Sequence, residues 1–120
     1  MNDLPIIQKT RDLIKWYVPI LNNLPREHKF ALGDRIVSRL YDVLEALIRA
    51  RYSRDKLSRL YDLNLQLEIL RQQTRLLLDF ELMSAKRYAY AGQLINGIGV
   101  DLGSWIKQQQ EEVRREGARS

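Results

Sequence analysis

Residues 57–79 read LSRLYDLNLQLEILRQQTRLLLD, and this stretch constrains the fold more than any other. Leu60, Leu63, Leu67, Leu70 and Leu77 recur at steps of three, four and seven, which places them on one face of an α-helix. Leu57, Tyr61, Leu65, Ile69 and Leu76 form a second apolar row well round the same helix. A helix that is apolar on two faces is normally buried on two faces. One face suits the core of a bundle. In a chain of 120 residues the second requires cover from another copy, so the sequence predicts an oligomer with Leu57, Tyr61, Leu65, Ile69 and Leu76 at its interface.

Working outward, the helical period continues on both sides. Upstream, Ile36, Leu40, Val43 and Leu47 lie beside a flanking row of Val37, Tyr41, Leu44 and Ile48, in a segment that starts near Phe30. Before it, Ile7, Ile14, Tyr17, Leu21 and Leu24 mark a first helix. Pro5 suits its first turn, Pro19 should kink it, and Asn22-Asn23-Leu24-Pro25 should end it. Tyr52-Ser53 breaks the pattern before the third helix, with Ser53 as its expected N-cap and Asp55 in its first turn. Downstream, Ser84 can cap a fourth helix carrying Tyr88, Ala91, Ile95, Ile98, Leu102 and Trp105. Gly92, Gly99 and Gly103 lie to one side of that row. Each costs up to about 1 kcal/mol against alanine in a helix interior, so close backbone packing is expected there.

Four helices over about 5–23, 30–51, 54–79 and 84–114, joined by short loops, give an all-α, antiparallel up-down four-helix bundle. Residues 1–114 form the single domain and 115–120 read as a flexible tail. There is no cysteine, so disulfides and thiolate metal sites are excluded. The N-terminus lacks the layout of a signal peptide, and no run approaches the roughly 18 apolar residues of a membrane span. A cytoplasmic protein that does not enter membranes is expected.

Chemistry is sparse. The single histidine, His28, has no activated serine near it, and no Glu-x-x-His pair offers a di-iron site. Asp42 and Glu45 form a lone acidic pair, which suits a solvated helix face. Gly97-Ile98-Gly99 follows no strand and lacks the Gly-Lys-Ser/Thr of a phosphate loop. No enzyme, no metal and no cofactor are expected. What remains is charge: twenty Lys and Arg against fifteen Asp and Glu give +5 and a pI of about 9.7, a balance that fits a polyanionic partner. Arg49, Arg51, Arg54, Lys56 and Arg59 crowd the second connection, at the end that an up-down bundle shares with Lys9, Arg11 and Lys107. They are either a binding pole or ordinary helix-end charge. Arg71 and Arg75, four apart on the most apolar helix, either pair with Glu68 and with acids of a neighbouring copy or form a ring of guanidinium groups facing phosphate. Trp105 is expected in the core, and one of Tyr88 and Tyr90 at the surface.

Pro25-Arg26-Glu27-His28 after the first helix, Leu60-Tyr61, Leu70-Arg71 with Arg75 four further on, and Leu102-Gly103-Ser104-Trp105-Ile106 occur in an order and spacing that resembles the accessory variability determinant (Avd) proteins of diversity-generating retroelements. The similarity runs over roughly residues 10–107. The wider family includes four-helix-bundle proteins encoded in intervening sequences of ribosomal RNA genes. The resemblance implies a barrel-shaped homopentamer without catalysis of its own. It also implies binding to a reverse transcriptase and its template RNA in support of error-prone cDNA synthesis. Arg71 and Arg75 match the family's Leu-Arg-x-x-x-Arg run, and the resemblance gives them contact with nucleic acid or polymerase. The cluster from Arg49 to Arg59 carries over on charge alone. Two other readings stay open: a structural oligomer of the ribosomal-intervening-sequence type with weak nonspecific RNA binding or none, and an adaptor that turns its second apolar row to a different protein. No groove-reading motif is present, so contacts to RNA and DNA are expected to be nonspecific and to phosphate.

Overall fold

The computed structural model of the chain describes residues 4–119 and is helical nearly throughout. Helix α1 spans Pro5–Asn22, α2 is a single turn at Arg26–His28, α3 spans Asp34–Arg51, α4 Lys56–Asp79 and α5 Ala85–Arg119. Four long helices, α1, α3, α4 and α5, close a ring in which α1 packs on α3 and α5, and α4 packs on the same two. The described residues contain no strand. The bundle measures 57 × 27 × 22 Å, two helices wide in each short direction.

The core follows the apolar periods. Ile7, Ile14, Tyr17, Leu21 and Leu24 from α1 and its exit are buried, as are Ile36, Leu40, Val43 and Leu47 from α3. From α4 come Leu60, Leu63, Leu67, Leu70 and Leu77, and from α5 Ala91, Ile95, Ile98 and Leu102. One polar link crosses this core. The Tyr17 hydroxyl and Thr74 Oγ1 are 2.8 Å apart, joining α1 to α4 diagonally with both residues buried. Burial pushes the Tyr17 phenol up to about 12, against a smaller downward pull from the Thr74 hydrogen bond. Trp105 is only partly buried, leaning on the core beside the start of α1.

Several ends differ from the sequence reading. The second helix does not begin at Phe30. Pro25 starts a turn at Arg26, and Lys29–Gly33 is π-helical before the α-helix proper. A Cβ on Gly33 would lie 3.3 Å from both the His28 carbonyl oxygen and Leu24 Cδ1, so the wide turn folds back onto the preceding loop where a side chain crowds it. Phe30 is left 62 % exposed. The third helix begins at Lys56, with Asp55 as its N-cap residue in place of Ser53. The Asp55 carboxylate makes no backbone capping bond and accepts from the Ser58 hydroxyl at 2.8 Å.

Helix α4 ends in a Schellman motif. Leu82 N–H donates to the Leu77 carbonyl at 2.8 Å and Glu81 N–H to the Leu78 carbonyl at 3.0 Å, with Glu81 in the left-handed region at φ 59°. Ser84 caps α5 as expected, its Oγ accepting from Arg87 N–H at 3.1 Å. Helix α5 does not stop near 114 but runs to Arg119, because Gln, Glu and Arg are good helix formers and no proline intervenes. Residues 1–3 of the predicted domain and residue 120 of the predicted tail lie outside the described residues. The expected close packing at the α5 glycines is absent at Gly92 and Gly103, where a Cβ would meet nothing within 4 Å. No helix among the described residues is long and apolar enough to cross a membrane.

Candidate functional site

The second apolar row of α4 lies on the side of the helix away from the core. Tyr61, Leu65 and Leu76 are 49 %, 59 % and 42 % exposed, while Leu57 and Ile69 are partly covered. Steps of four and seven keep these side chains on one ridge along the helix. Its hydrogen bond to a neighbouring helix is polar: Gln110 Nε2 of α5 donates to the Tyr61 hydroxyl at 2.9 Å. Within one chain the ridge is therefore apolar surface in contact with water.

Arg71 and Arg75 sit on the shoulder of α4 that faces α5. The Arg71 guanidinium lies across Gly99, with Nη2 2.8 Å from where a Cβ would be, so the glycine provides the space in which the guanidinium rests. Arg71 Nη1 is 3.5 Å from Glu68 Oε2 one turn back. Arg75 Nε donates to Asp79 Oδ1 at 2.9 Å one turn on. That bond first, and a second to the Tyr88 hydroxyl, hold the Arg75 guanidinium further above its already high range. Both arginines are thus paired within their own helix. Pairs this exposed are screened by water and exchange readily for a phosphate oxygen.

The predicted basic pole divides on inspection. Lys56 Nζ donates to the carbonyls of Ala50 at 3.1 Å, Arg51 at 2.7 Å and Ser53 at 3.0 Å. All three ammonium protons are committed to closing the C-terminal end of α3, so Lys56 belongs to the loop and is withdrawn from the candidate binding residues on that ground. Arg59 Nε donates to Ser53 Oγ at 3.0 Å and steadies the same loop, though its guanidinium stays exposed. Arg51 stacks over Tyr52 at 5.5 Å. Arg49 and Arg54 are exposed. Of the charges expected at this end from other helices, Lys9 pairs with Asp101 at 3.0 Å and Arg11 bonds Gln8, leaving Lys107 exposed. The pole is real in position but less bare than composition suggests.

The opposite end is basic too, which the sequence reading missed. Arg26 and Lys29 lie over the exposed Phe30 ring at 5.9 Å and 5.5 Å, and His28 stacks on Phe80 at 5.7 Å. Lys86 and Arg87 are exposed at the start of α5. The signal in the sequence is the adjacent pair Lys86-Arg87 directly after the Ser84 cap.

The architecture so far defines a class: a small basic helical bundle with an uncovered apolar ridge and cations at both ends. The family model described as bAvd-like matches residues 4–109, nearly the whole of this bundle. The chain belongs to the bAvd-like family and is an accessory protein of that family. No relative is found among curated proteins.

Proposed function

We propose that this chain is the non-catalytic accessory protein of a diversity-generating retroelement. In this reading it assembles as a homopentamer in the cytoplasm and binds the element's reverse transcriptase and RNA, with DNA in addition. Its role there is to support mutagenic cDNA synthesis. The observation that carries the reading is the match of the bAvd-like family across residues 4–109. The ridge of Tyr61, Leu65 and Leu76 supports assembly, since apolar side chains this exposed gain by burial against another copy. Arg71 and Arg75 lie close to that ridge on α4, so assembly would repeat them around one axis and multiply weak phosphate contacts. Arg49, Arg54 and Arg59 add a second, less specific basic surface.

The test is the double substitution Arg71→Glu with Arg75→Glu. Helicity and solution mass should stay as in the wild type, while affinity for template RNA or polymerase falls by at least tenfold. Unchanged binding would remove these arginines from the mechanism. One observation favours a second reading, the structural oligomer of the ribosomal-intervening-sequence type: Arg71 and Arg75 are already paired with Glu68 and Asp79. A reverse transcriptase gene beside a template repeat in the genome supports the first reading, and its absence supports the second.

A further inference from the structure

Several cations of this bundle already have partners: Lys9 an acid, Lys56 three carbonyls, and Arg71 and Arg75 an acid each. Lys86 and Arg87 do not. Both are exposed, and neither makes an ion pair with an acid among the described residues. They border a cleft of about 640 Å³ between α1 and α5, lined also by Trp16, Ala89, Tyr90 and Gln93. Trp16 comes from α1 and Tyr90 from α5, and the two rings meet edge to face with centroids 4.9 Å apart at 63°. Tyr90 is 46 % exposed, and Trp16 is partly buried, resting on the core on its inner side. The cleft thus has an aromatic corner, an amide that can both donate and accept, and two cations without an acidic partner at its rim.

We infer that this cleft binds a single-stranded polynucleotide, stacking a base in the Trp16–Tyr90 corner while Lys86 and Arg87 hold the adjoining phosphates. The inference rests on the proposed nucleic-acid role and assigns it a second surface, on the far side of α5 from Arg71. Each part of the ligand has its counterpart. A base presents a flat π-face, which aromatic side chains accept with little regard to sequence. The backbone presents a negative charge per nucleotide, which the two cations meet. Gln93 can bond whichever base edge is presented. A duplex does not fit this description, because its bases are already stacked on one another and do not enter a cleft. Neither stacking nor phosphate contact uses the 2′-hydroxyl, so RNA and DNA single strands should bind alike.

Trp16 is also the reporter. With Trp105→Phe it becomes the only tryptophan in the chain. Its emission is followed while a uridine oligonucleotide of about 12 residues is added, and anisotropy of a labelled copy of the strand reports total binding. Emission should fall in step with the rise in anisotropy, for the thymidine deoxy-oligonucleotide as for the uridine one, and a duplex of equal length should leave it unchanged. Tyr90→Ala should weaken binding about tenfold, and Lys86→Glu with Arg87→Glu should abolish the quenching. Both sets of substitutions are at exposed positions and can be read by anisotropy with Trp105 in place, so the test survives if Trp105→Phe does not fold. A rise in anisotropy with unchanged Trp16 emission, or unchanged affinity in these variants, would overturn the cleft and leave the wider nucleic-acid role standing. Equal quenching by the duplex would overturn the stacking. No anisotropy change with either strand would defeat both the cleft and that role.

Discussion

Removing one half of the Tyr17–Thr74 bond should cost different amounts depending on which half is removed. Both groups are buried, Tyr17 fully and Thr74 to within 2 %. A buried hydroxyl that loses its partner costs about 1–3 kcal/mol. In Tyr17→Phe the stranded group is the Thr74 hydroxyl, which sits in a helix and can turn to the carbonyl four residues back, as Thr10 Oγ1 does to Ile6 at 2.8 Å. The cost should fall near about 1 kcal/mol. In Thr74→Val the stranded group is the phenol, with no such local acceptor, and about 2 kcal/mol is expected. Removing both polar ends together leaves an apolar core of nearly unchanged shape, so the double variant should be less destabilised than the two singles combined.

The same pair makes a pH prediction. The folded-state phenol titrates near about 12 against its ordinary 10.0. A raised folded pKa means that the unfolded chain loses this proton first as pH rises. The contribution is therefore complete below pH 10.0 and declines toward pH 12, to a total of about 3 kcal/mol. Urea unfolding followed by circular dichroism, at fixed protein concentration and across this range, measures both effects. The wild type should lose more stability than Tyr17→Phe does, and that difference isolates Tyr17 from the lysines and other tyrosines. A neutral Thr74→Val, or parallel pH curves for wild type and Tyr17→Phe, would refute the reasoning.

Glu81 holds a left-handed backbone conformation that costs a non-glycine residue roughly 1–2 kcal/mol, so Glu81→Gly should raise the unfolding free energy by about 1 kcal/mol after the added chain entropy is deducted. Two Gly→Ala changes should act in opposite directions in the same unfolding assay. Gly33→Ala meets a backbone carbonyl and Leu24 at 3.3 Å and should destabilise, whereas Gly99→Ala displaces only the mobile end of Arg71 and should gain some of the roughly 1 kcal/mol helix-propensity difference. Leu65→Glu with Leu76→Glu should leave the helix content intact and lower the mass found by light scattering to that of the 14.2 kDa subunit; an unchanged mass would mean that assembly, if any, uses another face.

The core was legible because burial in a helix leaves a period that survives in the letters: every residue of the Leu60–Leu77 row is inside. The features that escaped depend on atoms brought together by the third dimension. Lys56 reads as surface charge until the loop places three carbonyls around its ammonium group. The wide turn at Lys29–Gly33 has no counterpart in the apolar period, and only the fold shows it closing over Leu24. Gly92 and Gly103 read as sites of close packing, and their surroundings are open. For Trp16 and Tyr90 the obstacle was distance along the chain, since only the pairing of α1 with α5 makes them neighbours. The residues after 114 differ for another reason: a polar run suggests loose chain, although its side chains favour a helix.

The 35 residues of α5, at about 1.5 Å each, make a rod of roughly 52 Å, close to the 57 Å long axis of the molecule. The rod begins beside the Trp16–Tyr90 cleft, passes the start of α1 near Trp105, and runs on to Arg119. A tag, dye or surface linkage attached beyond Arg119 therefore sits at the end of the bundle away from that cleft. A protein immobilised this way stands upright, with the aromatic cleft turned out into solution.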